Sequence, residues 1–470
     1  MHKPIKLIKE CAWPFPEAME AGATEIEAPN PNPNRNLNDL PAEILIHILT
    51  LIPTLEAIRT SLVSRQWRPL WSRLPCLDFP YHLFPLNNDA EPLPVTSHRF
   101  AELVDRALIL RPHSPIKTFR LSFIFYHYYT SHVDSWIRCA LTRFQARELH
   151  LDFFVQRQYH RRSQGDSAPR DLYEFRFSVL RESCVEILRL TNVDLALPAS
   201  MCLGSVRSMF LEDVSLTDQM WELLIKGCPN LEDLELQNGL VEQNMRICST
   251  SLKKLKFGYF YDCDDKNSLE IDCPNLVSLS FDNVSFTHFR LKNASSLVEF
   301  NLSIVHHVSR YYDLWSRTVK LLGSVPNVKR LNLQNWCFKL LTSQDSFPKT
   351  FMIRNLSLLE LRTGYTQHDL VGMAALLELC PNLETLILDY LLKIEVDESL
   401  PEEISNKPVN LNIPRLKEVK MLKFFGSEDE NKFVTLLKKH GVVLQKITLF
   451  PFKIDGNSCH QYPPVVLCRM

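Results

Sequence analysis

The chain has 470 residues, 45% of them hydrophobic and 23% charged, which is ordinary globular material sufficient for two or more domains. Its 53 Lys and Arg nearly balance 54 Asp and Glu, for a formal net charge of -1, so no chain-wide field draws it to nucleic acid or to an anionic membrane. Charges interrupt every apolar run well short of the roughly 20 residues that span a bilayer, and the N-terminal apolar stretch is too short for a secretory signal; a soluble protein that stays in the cytoplasm or nucleus is expected. Thirteen cysteines occur without C-x-x-C pairs, and those inside apolar patterns (Cys184, Cys228, Cys273, Cys380) read as reduced, buried thiols.

Residues 1–35 form a leader in which Pro14, Pro16, Pro29, Pro31 and Pro33 alternate with Asn, Ala and Glu, too poor in apolar surface to order itself. Glycine is sparse, 12 in all, and no phosphate-cradling glycine motif is present. From 36 to 80 the pattern turns helical. Asp39-Leu40-Pro41 suits a helix start and Glu43 suits its positive end. Ile44, Leu45, Ile48, Leu49 and Ile52 then trace one apolar face of period 3.6. Pro53 ends this helix and Thr54 can cap the next, which carries Leu55, Ile58 and Leu62; Val63, Trp67, Leu70 and Trp71 make a third set. About 35 residues cannot bury so many large apolar side chains alone, so some face either a partner or the domain that follows.

The run Asp39-Leu40-Pro41-Ala42-Glu43-Ile44-Leu45, Ile48-Leu49, Ile52-Pro53, Ala57, Ser61-Leu62-Val63-Ser64, Trp67 and Leu70-Trp71 resembles the F-box motif over its whole length. The resemblance implies insertion into an SKP-type adaptor that bridges to a cullin ubiquitin ligase. It places Leu40, Pro41, Ile44, Leu45, Ile48, Leu49, Val63 and Trp67 at or just beneath that interface.

Residues 81–115 read as a linker. From Ile116 the template apolar-x-x-apolar-x-apolar recurs thirteen times, beginning at Ile116, Ala146, Val185, Val206, Leu231, Leu252, Leu276, Leu297, Val328, Leu356, Leu383, Leu416 and Leu444. Such a period signals a solenoid. Cys228-Pro229-Asn230, Cys273-Pro274-Asn275, Val325-Pro326-Asn327 and Cys380-Pro381-Asn382 enter strands through a turn that proline and asparagine favour. Met220–Ile225 and Met373–Leu379 read as outer helices, and Asn192, Asp213, Asn238, Asn283 and Asn335 as turn residues after strands. The pattern resembles the leucine-rich repeats that accompany plant F-boxes. The expected fold is α/β, a short helical F-box followed by a solenoid with a curved parallel sheet and outer helices: repeats over 116–400, terminal repeats resembling an FBD domain over 401–455, and a tail over 456–470.

Within each strand the residue between the last two template positions faces away from the core. That row is Arg120, His150, Arg189, Phe210, Glu235, Lys256, Ser280, Asn301, Asn332, Glu360, Ile387, Lys420 and Thr448, and Phe210, Glu235, Lys256, Asn301, Asn332 and Ile387 are the candidates for contacting a protein substrate. Opposite charges on neighbouring strands are equally explained as pairs within the sheet. No nucleophile motif, metal-ligand spacing or cofactor loop appears, so a non-catalytic adaptor is expected, with no catalytic or metal residues and no cofactor. Two alternatives remain at this level. One is a hormone receptor using Lys254, Lys256, Lys329 and Arg330; the other is a repeat scaffold with no ligase role.

Overall fold

The computed structural model describes residues 40–61, 66–83, 93–154, 172–241, 244–259, 268–282, 288–303, 327–334, 352–390, 413–440, 444–455, 458–461 and 463–468, with positions 322, 325, 409 and 411. The leader, Val63, Asn283 and Asn335 lie outside the described residues.

The repeat builds one long sheet. Its strands are β1 (Cys76–Pro80), β2 (Thr118–Ile124), β3 (Glu148–Phe154), β4 (Ile187–Thr191), β5 (Ser208–Glu212), β6 (Asp233–Gln237) and β7 (Lys254–Gly258). They continue as β8 (Ser278–Asp282), β9 (Glu299–Ser303), β10 (Arg330–Gln334), β11 (Leu358–Thr363), β12 (Thr385–Tyr390), β13 (Glu418–Phe424) and β14 (Lys446–Asp455). Each is parallel to the next in chain order. All thirteen template triplets are buried, from Ile116, Phe119 and Leu121 to Leu444, Ile447 and Leu449. The register aligns them strand by strand, as the alternation of side chains in a strand requires.

The asparagines of the entry turns do more than tolerate the turn. Asn230, Asn275, Asn327 and Asn382 each donate a side-chain N–H to a backbone carbonyl of the preceding repeat, that of Gly204, Thr250, Ser295 and Arg354, at 2.7 to 2.8 Å. After the strands, Asn192, Asp213 and Asn238 adopt left-handed backbone (φ 56, 52 and 52°), a conformation Asn and Asp tolerate best among non-glycines.

The expectation of outer helices holds for four repeats of intermediate length and fails for the short ones and for the longest, from Ala146 to Val185, whose described return path holds the strand Tyr173–Arg176. Helices α4 (Thr130–Arg138), α5 (Asp218–Gly227), α6 (Gln367–Glu378) and α7 (Glu428–His440) return the chain where consecutive triplets begin 25 to 30 residues apart, as from Val206 to Leu231 and from Ile116 to Ala146. Where they begin 21 to 24 residues apart, the return path holds the strands Val193–Ala196, Asn244–Cys248, Ser268–Asp272 and His288–Lys292. An extended backbone covers a given distance with about half the residues a helix needs, so a short repeat closes through a strand. Met245 and Ile247, then Leu269 and Ile271, alternate inward there and are buried.

Three segments carry elements that the sequence reading did not assign to them. β1 lies inside the 36–80 segment read as F-box, and pairs with β2. The supposed linker 81–115 carries α3 (Leu93–Leu110), with Phe100, Ala101, Val104, Ala107 and Leu108 in the main core. The supposed tail supplies β15 (Ser458–Gln461) and β16 (Val465–Cys468), both antiparallel to β14. β1 itself fits the repeat template, with Leu74, Leu77 and Phe79 buried and in register with Phe119 and Leu121, whereas α3 and the two C-terminal strands lie outside the template and are recruited by the long sheet as cover and edge. Cys228, Cys273 and Cys380 are buried, and burial pushes their thiols up to about 12, 11 and 12. Cys184 is exposed instead, because it stands immediately before the template residue Val185, the place held by the exposed Asn230 and Asn275 in other turns, rather than three residues before it.

Candidate docking surfaces

The N-terminal unit has its own small core. Helices α1 (Ala42–Leu49) and α2 (Thr54–Thr60) enclose Leu45, Leu49, Ala57, Leu70 and Leu74, with Leu40, Ala42, Ile46, Ile52, Trp67 and Trp71 partly buried around them. Pro41 and Pro53, rather than Thr54, stand at the two N-cap positions. The Thr54 hydroxyl accepts the Asp78 N–H at 2.7 Å instead, tying α2 to the first strand. Leu55 and Ile58 pack on the solenoid core, so this unit covers the edge of β1.

A second tie is Arg111, at the end of α3 and 1% exposed. Its guanidinium donates to the Leu74 carbonyl (2.8 Å), the Trp71 carbonyl (3.3 Å) and Ser114 Oγ (3.2 Å). It also lies over the Phe144 ring, 5.6 Å from its centre. Burial brings its pKa down to about 10, so it remains a cation at neutral pH, held by carbonyl dipoles.

Of the eight residues singled out as adaptor contacts, Val63 lies outside the described residues and the other seven divide into two sets. Leu45 and Leu49 are fully buried in the unit's own core; Leu40 and Trp67 are partly buried against it. Pro41 and Ile44 are exposed and Ile48 half-exposed. Ile44 is 47% and Leu51 74% exposed. Pro41, Ile44, Ile48 and Leu51 are spaced three, four and three residues apart, one stripe along α1 and its final turn. Leu51 was not singled out from the sequence, although the same spacing points to it.

On the repeat sheet, register places the outward residues in one row across fourteen strands, from Asp78 through Arg120, His150, Arg189 and Phe210 to Thr448. Of the substrate candidates, Phe210, Glu235 and Lys256 are neighbours on β5, β6 and β7; Asn301 and Asn332 are neighbours on β9 and β10; Ile387 stands apart on β12. Phe210 lies under the Arg189 guanidinium at 5.0 Å. Glu235 and Lys256 pair at 2.8 Å, and Glu232 pairs with Lys253 at 2.8 Å and Arg207 at 2.9 Å, so these charges hold each other. Arg330 likewise meets Glu299 at 2.7 Å, which leaves the proposed hormone-type cation set without two of its four members. Asn301 donates to Ser280 Oγ at 2.9 Å. Thr448, expected to face out, is buried, because the antiparallel β16 places Val466 beside it.

Among the described residues no group of three or more His, Cys, Asp or Glu is placed to hold a metal, and no helix is long and apolar enough to cross a membrane.

A helical docking unit clamped on the edge of a leucine-rich-repeat solenoid defines a class of interaction protein. Family models agree in both parts: an F-box domain matches residues 37–79, and the At1g61320/AtMIF1 LRR domain matches residues 109–452. The chain belongs to the F-box/leucine-rich-repeat proteins of plants. It is 31% identical over 365 residues to the putative F-box protein At3g58860 of Arabidopsis thaliana, covering 75% of this chain and 74% of that one. It is 28% identical over 429 residues to the putative F-box/FBD/LRR-repeat protein At5g44950 of the same plant, covering 88% and 91%. With the F-box/FBD/LRR-repeat protein At2g26030 of Arabidopsis thaliana it shares 27% over 439 residues, covering 87% and 91%.

Proposed function

We propose that this protein is the non-catalytic substrate-recognition subunit of an SKP–cullin–F-box ubiquitin ligase, acting in the cytoplasm or nucleus. The N-terminal helices dock an SKP-type adaptor and, through it, a cullin; the repeat sheet holds a protein substrate; residues 401–455 close the solenoid as an FBD-like terminal unit.

The observation that carries this reading is the divided α1. One face seals the unit's core through Leu45 and Leu49, while the other leaves Pro41, Ile44 and Leu51 open to solvent and Ile48 half-exposed. Exposed apolar side chains aligned on one stripe mark a partner site. Had these helices served only to cover the solenoid, the stripe would face β1, as Leu55 and Ile58 of α2 do.

The test is co-purification of the full chain with an SKP-type adaptor, beside a variant carrying Ile44→Asp and Leu51→Asp. Both positions are exposed, so the variant folds. Loss of the adaptor from the variant alone supports the reading; absence of adaptor binding by the intact chain refutes it and leaves a repeat scaffold.

A further inference from the structure

The outward row holds four Lys and Arg side chains, and they differ in what holds them. Lys256 lies 2.8 Å from Glu235, and Lys420 3.5 Å from Glu418. Arg120 and Arg189 have no carboxylate within 4.0 Å among the described residues. Arg120 Nε donates to His150 Nδ1 at 3.3 Å, and Arg189 lies over the Phe210 ring. His150 stands between them, on β3 between β2 and β4.

With Nδ1 accepting from Arg120, the imidazole proton sits on Nε2. Nε2 is buried and makes no hydrogen bond. Glu148 Oε2 lies 4.0 Å away, beyond hydrogen-bond reach, and already accepts from Thr118 Oγ1 at 2.7 Å, while the other Glu148 oxygen meets Lys117 at 3.4 Å. Burial, then the charges of Arg120 and Arg189, hold the imidazole down to about 4, against the weaker opposing pull of Glu148. Two guanidiniums that make no ion pair within 4.0 Å among the described residues, though Asp78 attracts Arg120 and Asp233 and Glu235 attract Arg189 from farther off, thus meet one N–H without an acceptor on three adjacent strands. Strands lie about 4.8 Å apart, which sets the two arginine backbones about 10 Å from each other, close enough for both side chains to converge on one group.

We propose that Arg120, His150 and Arg189 form a subsite for a single oxyanion carried by the repeat domain's partner, a side-chain carboxylate or a phosphoryl group, with the Phe210 ring beside it. The inference rests on the sheet being the substrate face and fixes the chemistry of what it takes. Charge-assisted bonds from guanidinium to such an anion are among the strongest polar contacts available. The surroundings also set a limit. Asp78, Asp152, Glu212 and Asp233 have no cation within 4.0 Å among the described residues, and burial raises the carboxyl of each. A run of acids is therefore repelled. The partner segment presents one anion flanked by cationic or hydroxyl-bearing residues.

The test uses the full chain, free of adaptor, with isotope-labelled histidine at low ionic strength, so that its outcome is independent of ligase assembly. The His150 resonance is assigned with His150→Gln. Blocked glutamate, with only its side-chain carboxylate free, and blocked phosphoserine are titrated separately, with chloride as the control. Binding raises the pH midpoint of His150 by about one unit, and Arg120→Gln or Arg189→Gln weakens it about tenfold. The tighter probe identifies the source of the anion. A His150 signal unmoved by either probe at about 50 mM, or equal binding by a variant carrying both glutamines, overturns the proposal.

Discussion

Replacing Leu49 and replacing Ile44, both large apolar residues on α1, have opposite expected consequences. Leu49 is fully buried among Leu45, Ala57, Leu70 and Leu74. Truncation to alanine removes its transfer energy and leaves a cavity, together about 2.7 to 5 kcal/mol. A unit with five fully buried residues contributes only a few kcal/mol of its own, so Leu49→Ala unfolds the N-terminal helices locally while the solenoid stays folded. Ile44 is 47% exposed and touches the core only in part, so Ile44→Ala costs within about 0.5 to 1 kcal/mol and weakens adaptor binding directly. Hydrogen exchange resolves the two: in Leu49→Ala the amides of 42–60 lose protection and those of the sheet keep theirs, whereas Ile44→Ala leaves both intact and lowers affinity in a titration with the adaptor. Equal loss of protection in the two variants would refute the division of α1 into a core face and a docking face.

Three further outcomes follow from the geometry. Arg111→Met leaves the Trp71 and Leu74 carbonyls without their buried donor and costs about 2 to 4 kcal/mol; exchange measurements show the loss first in residues 71–83, where the docking unit meets β1. Asn275→Ala removes the side-chain bond to the Thr250 carbonyl and lowers stability by about 1 kcal/mol, read from denaturant midpoints at unchanged slope. For pH, His150 titrates at about 4 in the fold against 6.5 as its ordinary value. The unfolded chain therefore takes up a proton that the folded chain refuses, and stability declines as pH falls from about 6.5 to about 4, by about 3 kcal/mol in all. His150→Gln removes that part of the slope in a series of melts between pH 7 and 4, and an unchanged slope refutes it.

The repeat was legible because its signal is local: three apolar positions in six residues, recurring thirteen times, leave no other way to bury themselves than a stacked parallel sheet. Repeat length carried a further signal, since the repeats of 21 to 24 residues are the ones that return through a strand. β1 carries the same template, Leu74, Leu77 and Phe79, all buried, and was legible on the same ground, whereas β15 and β16, the latter with Val465 and Val466 still exposed, could not be recognised locally. They are strands because a long sheet offers them unpaired hydrogen-bonding edges.

The candidate surfaces divide in the same way. The sequence by itself determined that α1 is apolar around more of its circumference than one core can use, and which residues share the outward row of the sheet, because both follow from the periods 3.6 and 2. Only the tertiary structure decided that Leu45 and Leu49 turn inward while Ile44 and Leu51 remain open, since that depends on where α2 and Leu70 close the small core. It also decided that Lys256 is neutralised by Glu235 whereas Arg120 and Arg189 flank a half-buried neutral imidazole. Charge pairing is a property of side chains on different strands, and their distances are fixed by the stacking of repeats, to which a single strand's sequence has no access.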